Sequence, residues 1–307
     1  MKTILAVDST SGILSISLSA GPDILSEIKD DKSMKHMVNI MGDIDYVLKN
    51  ADKTIKEIEL FAVNLGPGDF TGGRIGISVV KMFSMLSGNP VFGFNSLDVF
   101  SVGAMIKNIS TISKNISDFS QAYIMPLMDV RNNEIYFGIY EASCVLNDKT
   151  AIFSFDFEDN KYFLNKISEA FLLNTADFSQ KITQIVNSVN LLDKGSSFLF
   201  SQMSEDNNSN KEQSQRKIQN TSNESGQKKH CFIFTANALK TYPELFENIK
   251  EEVPVRCNGA EIILDETNIN PSSEYINLLA DYSCSFPMKM LPILPVYVRD
   301  FIAFGGK

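Results

Sequence analysis

Three aspartates stand at or near the ends of strand-like runs, where catalytic carboxylates are often placed. Asp8 follows Thr3-Ile4-Leu5-Ala6-Val7 and opens the turn Asp8-Ser9-Thr10-Ser11-Gly12. Asp129 follows Ala122 to Met128, and Asp69 lies inside a glycine-rich stretch. A carboxylate with two hydroxyls, as in Asp8-Ser9-Thr10, could hold a metal–phosphate group, and it could equally be an Asx-type hairpin turn. Neither a serine nor a cysteine can be given a nearby base. His36 has Met37 beside it and no second histidine at i+4 with which to share a metal. Cys144, Cys231, Cys257 and Cys284 are scattered without a C-x-x-C pair, and His36 and His230 are the only histidines, so no zinc site can be drawn. The thiols read as inert groups in a reducing compartment.

The segment with the most demanding backbone is Leu65-Gly66-Pro67-Gly68-Asp69-Phe70-Thr71-Gly72-Gly73-Arg74-Ile75-Gly76. The apolar run Leu60–Asn64 precedes it, and Ile75, Val79, Met82, Phe83 and Leu86 follow at helical spacing. It therefore reads as a strand-to-helix turn, with Thr71 as the expected N-cap. Such a turn leaves backbone N–H groups free for an anion. Two nucleotide fingerprints fail on it. A P-loop needs Lys then Ser/Thr where Arg74 and Ile75 stand, and G-x-G-x-x-G needs glycine at Thr71. A tight turn packed on a neighbouring element and a divergent phosphate loop both remain open.

The elements that position these residues begin with three strands: Thr3–Val7, Ile13–Ala20 and Asp23–Lys29. Ser33 caps an expected helix from Met34 to Lys49, and strand Leu60–Asn64 leads through the glycine turn into a second helix. Strand Pro90–Phe94 and a helix from Ser96 to Lys107 complete a β-β-β-α-β-α-β-α order, which points to a mixed sheet with helices on its faces. Ile109–Ser120 is polar and reads as a connection. Strands are then expected at Ala122–Met128, Glu134–Tyr140 and Ala151–Phe157, and helices near Leu164–Leu173 and Phe178–Val189. Residues 201–227 collapse to Ser, Asn, Gln, Lys and Glu, and are expected to be a disordered insertion. A strand at Cys231–Phe234, helix from Ala236 to Lys250, and a last helix capped by Asn270 with Pro271 first and Tyr275, Leu278, Leu279 and Tyr282 inward, close the list.

Both early helices have apolar faces wider than one core stripe requires. They are rich in methionine: Met34, Met37 and Met41 on the first, Met82 and Met85 on the second. Such faces suit an adaptable protein-binding surface, or two fully buried helices. The chain has 307 residues, with 44% hydrophobic and 21% charged content, as expected for a globular protein of two modest domains. A net charge of −9 argues against a broad phosphate-gripping surface. Met1-Lys2 runs straight into a strand, and no apolar run reaches membrane-spanning length, so a cytoplasmic protein is expected. By residues alone, an ATP-handling enzyme with a divergent phosphate loop and a partner protein without chemistry of its own both fit.

Gly66-Pro67-Gly68-Asp69-Phe70-Thr71-Gly72-Gly73-Arg74-Ile75-Gly76, followed by Lys81, resembles the G-P-G-S-F-T-G-L-R-I-G…A-K signature of the TsaB (YeaZ) family. Ile4 to Thr10, His36, Asp129-Val130-Arg131 before Glu134-Ile135-Tyr136, and Pro295-Val296-Tyr297-Val298-Arg299 fall in that family's order. The resemblance implies an α/β fold of two ribonuclease H-like (actin-like, sugar-kinase-like) domains with mixed sheets, divided here as 1–108 and 109–307. It implies a non-catalytic subunit that pairs with TsaD through the first two helices, joined by the ATPase TsaE, in making threonylcarbamoyladenosine in tRNA. The expected partner face is Met34, Met37, Met41, Ile44, Ile77, Met82 and Met85. The glycine loop (Gly66, Pro67, Gly68, Asp69, Phe70, Thr71, Gly72, Arg74) supports it, and Asp8, Ser9 and Thr10 are expected to be a vestigial phosphate site. No metal or cofactor of its own is expected, since ATP and metal would sit on TsaD and TsaE. Homodimerisation without TsaD, indirect contact with tRNA and no membrane contact complete the expectation. The chain departs from the pattern at Asp69 for Ser, Gly73 for Leu and Asn132 for the second Arg of D-A-R-R. It also departs at Val80, Met82 and Phe83, and at Thr235-Ala236-Asn237-Ala238, where glycines are expected. Asp69 adds negative charge to a helix N-terminus, which disfavours phosphate there.

Overall fold

The computed structural model describes residues 1–30, 39–117, 121–147, 149–191, 230–256, 260–268, 270–285 and 293–296. The expected insertion at 201–227, together with His36, Met34 and Met37, lies outside the described residues.

The first sheet is built from β1 (Thr3–Asp8), β2 (Leu14–Ala20), β3 (Asp23–Asp30), β4 (Leu60–Asn64) and β5 (Val91–Phe94). Its order is β3-β2-β1-β4-β5. β1 is antiparallel to β2 and parallel to β4, with Ile4 opposite Leu60 and Val7 opposite Val63. Helices α1 (Ile40–Asn50) and α2 (Phe70–Ser87) cover one face, α1 over β2 and β3 and α2 over β4 and β1. Leu5, Val7, Ile16, Leu18, Phe61 and Val63 fill that layer with Ile40, Ile44, Val47, Ile77 and Val80.

The second sheet uses β6 (Ala122–Asp129), β7 (Glu134–Phe137), β8 (Tyr140–Ser143), β9 (Ala151–Phe157), β10 (Asn160–Lys166), β11 (Phe171–Asn174), β12 (Cys231–Thr235) and β13 (Glu261–Asp265). β7 and β8 lie on the same flank of β6, since Leu127↔Phe137 and Ile124↔Tyr140 continue one antiparallel ladder. They are one strand interrupted at Gly138-Ile139. Its outer neighbours are β11 along β7 and β10 along β8. On the other flank β12 runs parallel to β6, and β13 parallel to β12. The second sheet thus repeats the five-position order of the first and adds β9 at an edge. This is an α/β architecture of two ribonuclease H-like units.

Helices α3 (Ser96–Lys107) and α4 (Ile109–Ser117) follow β5, while α5 (Thr175–Leu191), α6 (Ala238–Thr241) and α7 (Pro243–Arg256) belong to the second half. α8 (Ser273–Ser285) comes last. The two sheets exchange helices. α3 packs on β6 and β12 of the second sheet, and α8 packs on β1 and β2 of the first. One apolar cluster therefore runs from Ile4, Ala6 and Leu60 through Phe100 and Leu279 to Ile124, Leu164 and Ile233. Alternation along the strands sends Tyr123, Met125 and Leu127 to the opposite face, against α5 and α7.

Several sequence expectations change. Ile109–Ser120 contains a helix, α4, because Ile109 and Ile112 stand one turn apart and enter the core. The expected helix at Leu164–Leu173 is the end of β10 and the strand β11. The last helix starts at Ser273 rather than Pro271, and its Tyr275, Leu279 and Tyr282 are buried as expected. Ser15, Ser17 and Ser19 on β2 are buried because α8 lies on that face. There Ser15 Oγ lies 2.8 Å from Ser273 Oγ, and Asn277 Nδ2 donates to Ser17 Oγ at 2.8 Å.

α3 and α8 cross closely at Gly103, where a Cβ would fall 2.6 Å from Cε2 of Tyr275 and 2.8 Å from Oδ1 of Asn268. Gly103→Ala is therefore expected to destabilise the protein by about 1–3 kcal/mol, the usual cost of overpacking. Denaturant unfolding checks this, and an unchanged midpoint would show that the two helices can part at no cost.

Candidate functional site

The carboxylate of Asp8 is fully buried at the end of β1. Its Oδ1 accepts from the backbone N–H and the Oγ1 of Thr10, both at 2.8 Å, and its Oδ2 accepts from Asn64 Nδ2 at 2.7 Å. Asn64, at the end of the parallel strand β4, turns its Oδ1 the other way and accepts the Gly66 N–H at 2.9 Å. Ser96 Oγ, at the start of α3, lies 2.9 Å from Asn64 Oδ1 and 2.7 Å from the Pro67 carbonyl. The group expected to be a vestigial phosphate site is thus a closed knot tying β1, β4, the glycine loop and α3. Burial raises the Asp8 carboxyl above its ordinary 3.8, against the opposing pull of the Asn64 and Thr10 donors.

The glycine loop lies directly on this knot. The Asp69 N–H donates to the Thr10 carbonyl at 2.5 Å, and Ser9 Oγ donates to the Gly72 carbonyl at 2.8 Å. A Cβ on Gly68 would collide with the Thr10 carbonyl oxygen, and one on Gly76 with Ser9 Oγ. These two glycines are contact positions between the loop and the β1 turn. The N-cap of α2 is Asp69, not Thr71. Its carboxylate accepts the Gly72 N–H at 2.7 Å, while Thr71 is exposed in the first turn. An aspartate at N-cap satisfies an N–H that an anion would otherwise use and places a negative charge where a phosphate would dock.

Asp129 holds the corresponding place at the end of β6. Its Oδ1 accepts from the Arg131 N–H at 2.9 Å and from the Tyr242 hydroxyl at 3.0 Å, and its own N–H donates to Asn237 Oδ1 at 2.9 Å. Arg131, Asn132 and Asn133 carry φ of 67°, 55° and 57°, a left-handed run made without glycine. Ala236 has φ of 83° and is fully buried, so the turn after β12 keeps a conformation suited to glycine although the sequence supplies alanine.

The apolar faces of α1 and α2 divide cleanly. Met41, Met82 and Met85 are exposed, Met85 at 85%. Ile44 and Ile77, expected to face a partner, belong instead to the core layer beneath the helices and are at most 4% exposed. They sit on the stripe that packs against the sheet. Sequence reasoning missed Tyr46 and Leu86, which are exposed on the same two helices at 52% and 78%. Phe70, read only as a loop residue, is also exposed, and the Arg74 guanidinium lies 3.7 Å from its ring centroid. Among the described residues, no group of three or more His, Cys, Asp or Glu could hold a metal ion. Burial pushes the Cys231 thiol up to about 12. No described helix is long and apolar enough to cross a membrane.

Asp8→Ala would leave the Thr10 and Asn64 donors unpaired in the interior and is expected to cost on the order of 1–3 kcal/mol. The protonation-linked part carries the opposite sign. With a raised folded-state pKa, the Asp8 contribution is full below 3.8 and is lost as pH rises through the folded-state midpoint. A carbon-13 titration of Asp8 should show a midpoint above 3.8, and one at or below that value would contradict the burial argument.

The family model that matches residues 25–156 is TsaD, tRNA N6-adenosine threonylcarbamoyltransferase. The tRNA threonylcarbamoyladenosine biosynthesis protein TsaB of Bacillus subtilis (strain 168) is 27% identical over 139 residues, 45% of this chain and 55% of that protein. The TsaB protein of Buchnera aphidicola subsp. Schizaphis graminum is 25% identical over 166 residues, 54% of this chain and 71% of its own. The matched stretches thus span between about half and seven tenths of these relatives. Among solved structures, YeaZ from Pseudomonas aeruginosa superimposes with a TM-score of 0.57 at 16% identity, over 97% of this chain and 100% of that one. In sequence, roughly half of the chain is similar to TsaB proteins, and in fold nearly all of it is similar to YeaZ.

Proposed function

We propose that this chain is a non-catalytic subunit that pairs with a TsaD-like threonylcarbamoyltransferase through α1 and α2. A TsaE-like ATPase would join the pair, and ATP and metal would be held by those partners. The observation that carries the reading is the closed glycine loop. Both oxygens of Asp8 are already engaged by protein donors, Gly68 is pressed on the Thr10 carbonyl, and the Asp69 carboxylate takes the Gly72 N–H of α2. A phosphoryl- or carbamoyl-transfer enzyme of this fold would have to bind its anion at a helix end that carries its own.

The second support is the exposed apolar side chains on the two helices, Met41 and Tyr46 on α1 and Phe70, Met82, Met85 and Leu86 on α2. Flexible thioethers and aromatics are side chains that suit an interface centre. The tRNA would be met through the partners, in keeping with the acidic net charge, and the same face would serve a homodimer when the partner is absent.

Co-expression with the cognate TsaD-like protein, followed by size-exclusion chromatography, tests the assignment. Burying a methionine side chain contributes about 1.5–3 kcal/mol, so Met85→Asp or Met41→Asp should weaken the complex by at least about ten-fold. The isolated variants should keep their melting temperature. Ile77→Asp, in the core, should unfold the lone protein. The isolated wild type should not hydrolyse ATP. Steady turnover abolished by Asp8→Ala would establish the enzyme reading instead.

A further inference from the structure

The glycine-loop signature ends in Lys81, and the closing Pro295-Val296 motif lies more than 200 residues further on. The structure brings the two together. Lys81 Nζ donates to the Ile293 carbonyl at 3.0 Å, and the Val296 N–H donates to the Leu65 carbonyl at 2.7 Å. Between these two anchors, Ile293 and Val296 pack on the α1–α2 core layer, while Leu294 is 60% exposed. Residues 293–296 therefore form a strap from the middle of α2 to the first residue of the glycine loop. Its seat also constrains the loop. A Cβ on Gly66, where φ is +92°, would lie 3.2 Å from the Val296 carbonyl oxygen.

We infer that Lys81 is a positioning residue that clasps this C-terminal strap across the root of the glycine loop, so that strap and loop are ordered or released as one unit. Three features of the geometry lead there. The lysine comes from the middle of α2, and its ammonium donates to a backbone carbonyl of the strap, with no carboxylate partner among the described residues. The strap answers with a backbone bond to Leu65, whose own N–H is already held by the Phe94 carbonyl at 2.8 Å. Leu65 is thus gripped from β5 on one side and from the strap on the other, immediately before Gly66 turns into the Asp8 knot. Releasing the strap would free one of those two grips and uncover the Ile293 and Val296 seats beside α2. Met82, exposed, follows Lys81 directly. The inference concerns the isolated chain and does not depend on which protein it pairs with.

Hydrogen exchange on the full-length protein tests this, using Lys81→Met, which keeps the aliphatic stem and removes the donor, and Lys81→Arg, which keeps a cationic donor. Lys81→Met should raise exchange about ten-fold or more both in the peptide carrying Val296 and in the one carrying Leu65 and Gly66, with residues 14–20 unchanged. Lys81→Arg should stay near wild type. If Lys81→Met does not fold, Val296→Pro removes the N–H to Leu65 without touching the lysine and should produce the same paired increase. An increase confined to the strap, with the loop unchanged, would make the strap a passenger and overturn the inference. Unchanged exchange in both peptides would overturn it as well.

Discussion

Two sheets present four faces, and each must be kept from water. The chain meets this constraint by sending one helix of each half to the other half's sheet. α3 leaves the first sheet and covers β6 and β12, and α8 leaves the second sheet and covers β1 and β2. The layer between the sheets is consequently a single apolar cluster to which both halves contribute. It also contains the polar pairs Ser15–Ser273 and Ser17–Asn277. Small hydroxyl side chains on β2 leave room for a helix, and polar groups on α8 satisfy those of Ser15 and Ser17. Everything at the strand ends, including the Asp8 knot and the start of α3 at Ser96, inherits its position from this layer.

At those strand ends the structure favours rigidity over ligand binding. Asp8 is held by donors from Thr10 and Asn64, and Asn64 in turn fixes the loop at Gly66. Burying a carboxylate costs free energy unless its hydrogen bonds are well met, and here they are met within the chain. The second half shows the looser version of the same arrangement. Asp129 is half-buried, Tyr242 reaches its Oδ1, and the adjoining turn bends through three left-handed residues. The two halves share an architecture but not an equal degree of closure at their strand ends.

Much of this was legible in the residue pattern. The strand–turn–helix around Gly66 and the order of the first eight elements follow from periodicity and turn residues. The resemblance to TsaB rested on residues that the structure brings together, Asp8 and the glycine loop. The errors have local causes. Leu164, Ile167 and Phe171 recur at helical spacing, yet pairing with β8 and β7 makes the segment two strands. The burial of Ser15, Ser17 and Ser19 had no signal in β2 itself, since it comes from a helix about 260 residues later. Broad apolar helices do not reveal which stripe packs inward. Ile44 and Ile77 went to the sheet, and Met41 and Met85 to the surface. Asp69 displaced Thr71 as N-cap because the turn ends two residues earlier than its glycines suggest.

The position of α8 also bears on how the protein can be made. Its residues, 273–285, leave the ribosome after every described strand of both sheets. Until then the first sheet has one face covered by α1 and α2 and the other bare, with β1 showing Ile4 and Ala6. Domains ordinarily complete themselves in order of synthesis, N-terminal first. Here the N-terminal unit must wait for α8. Until α8 emerges, that face is an open apolar surface.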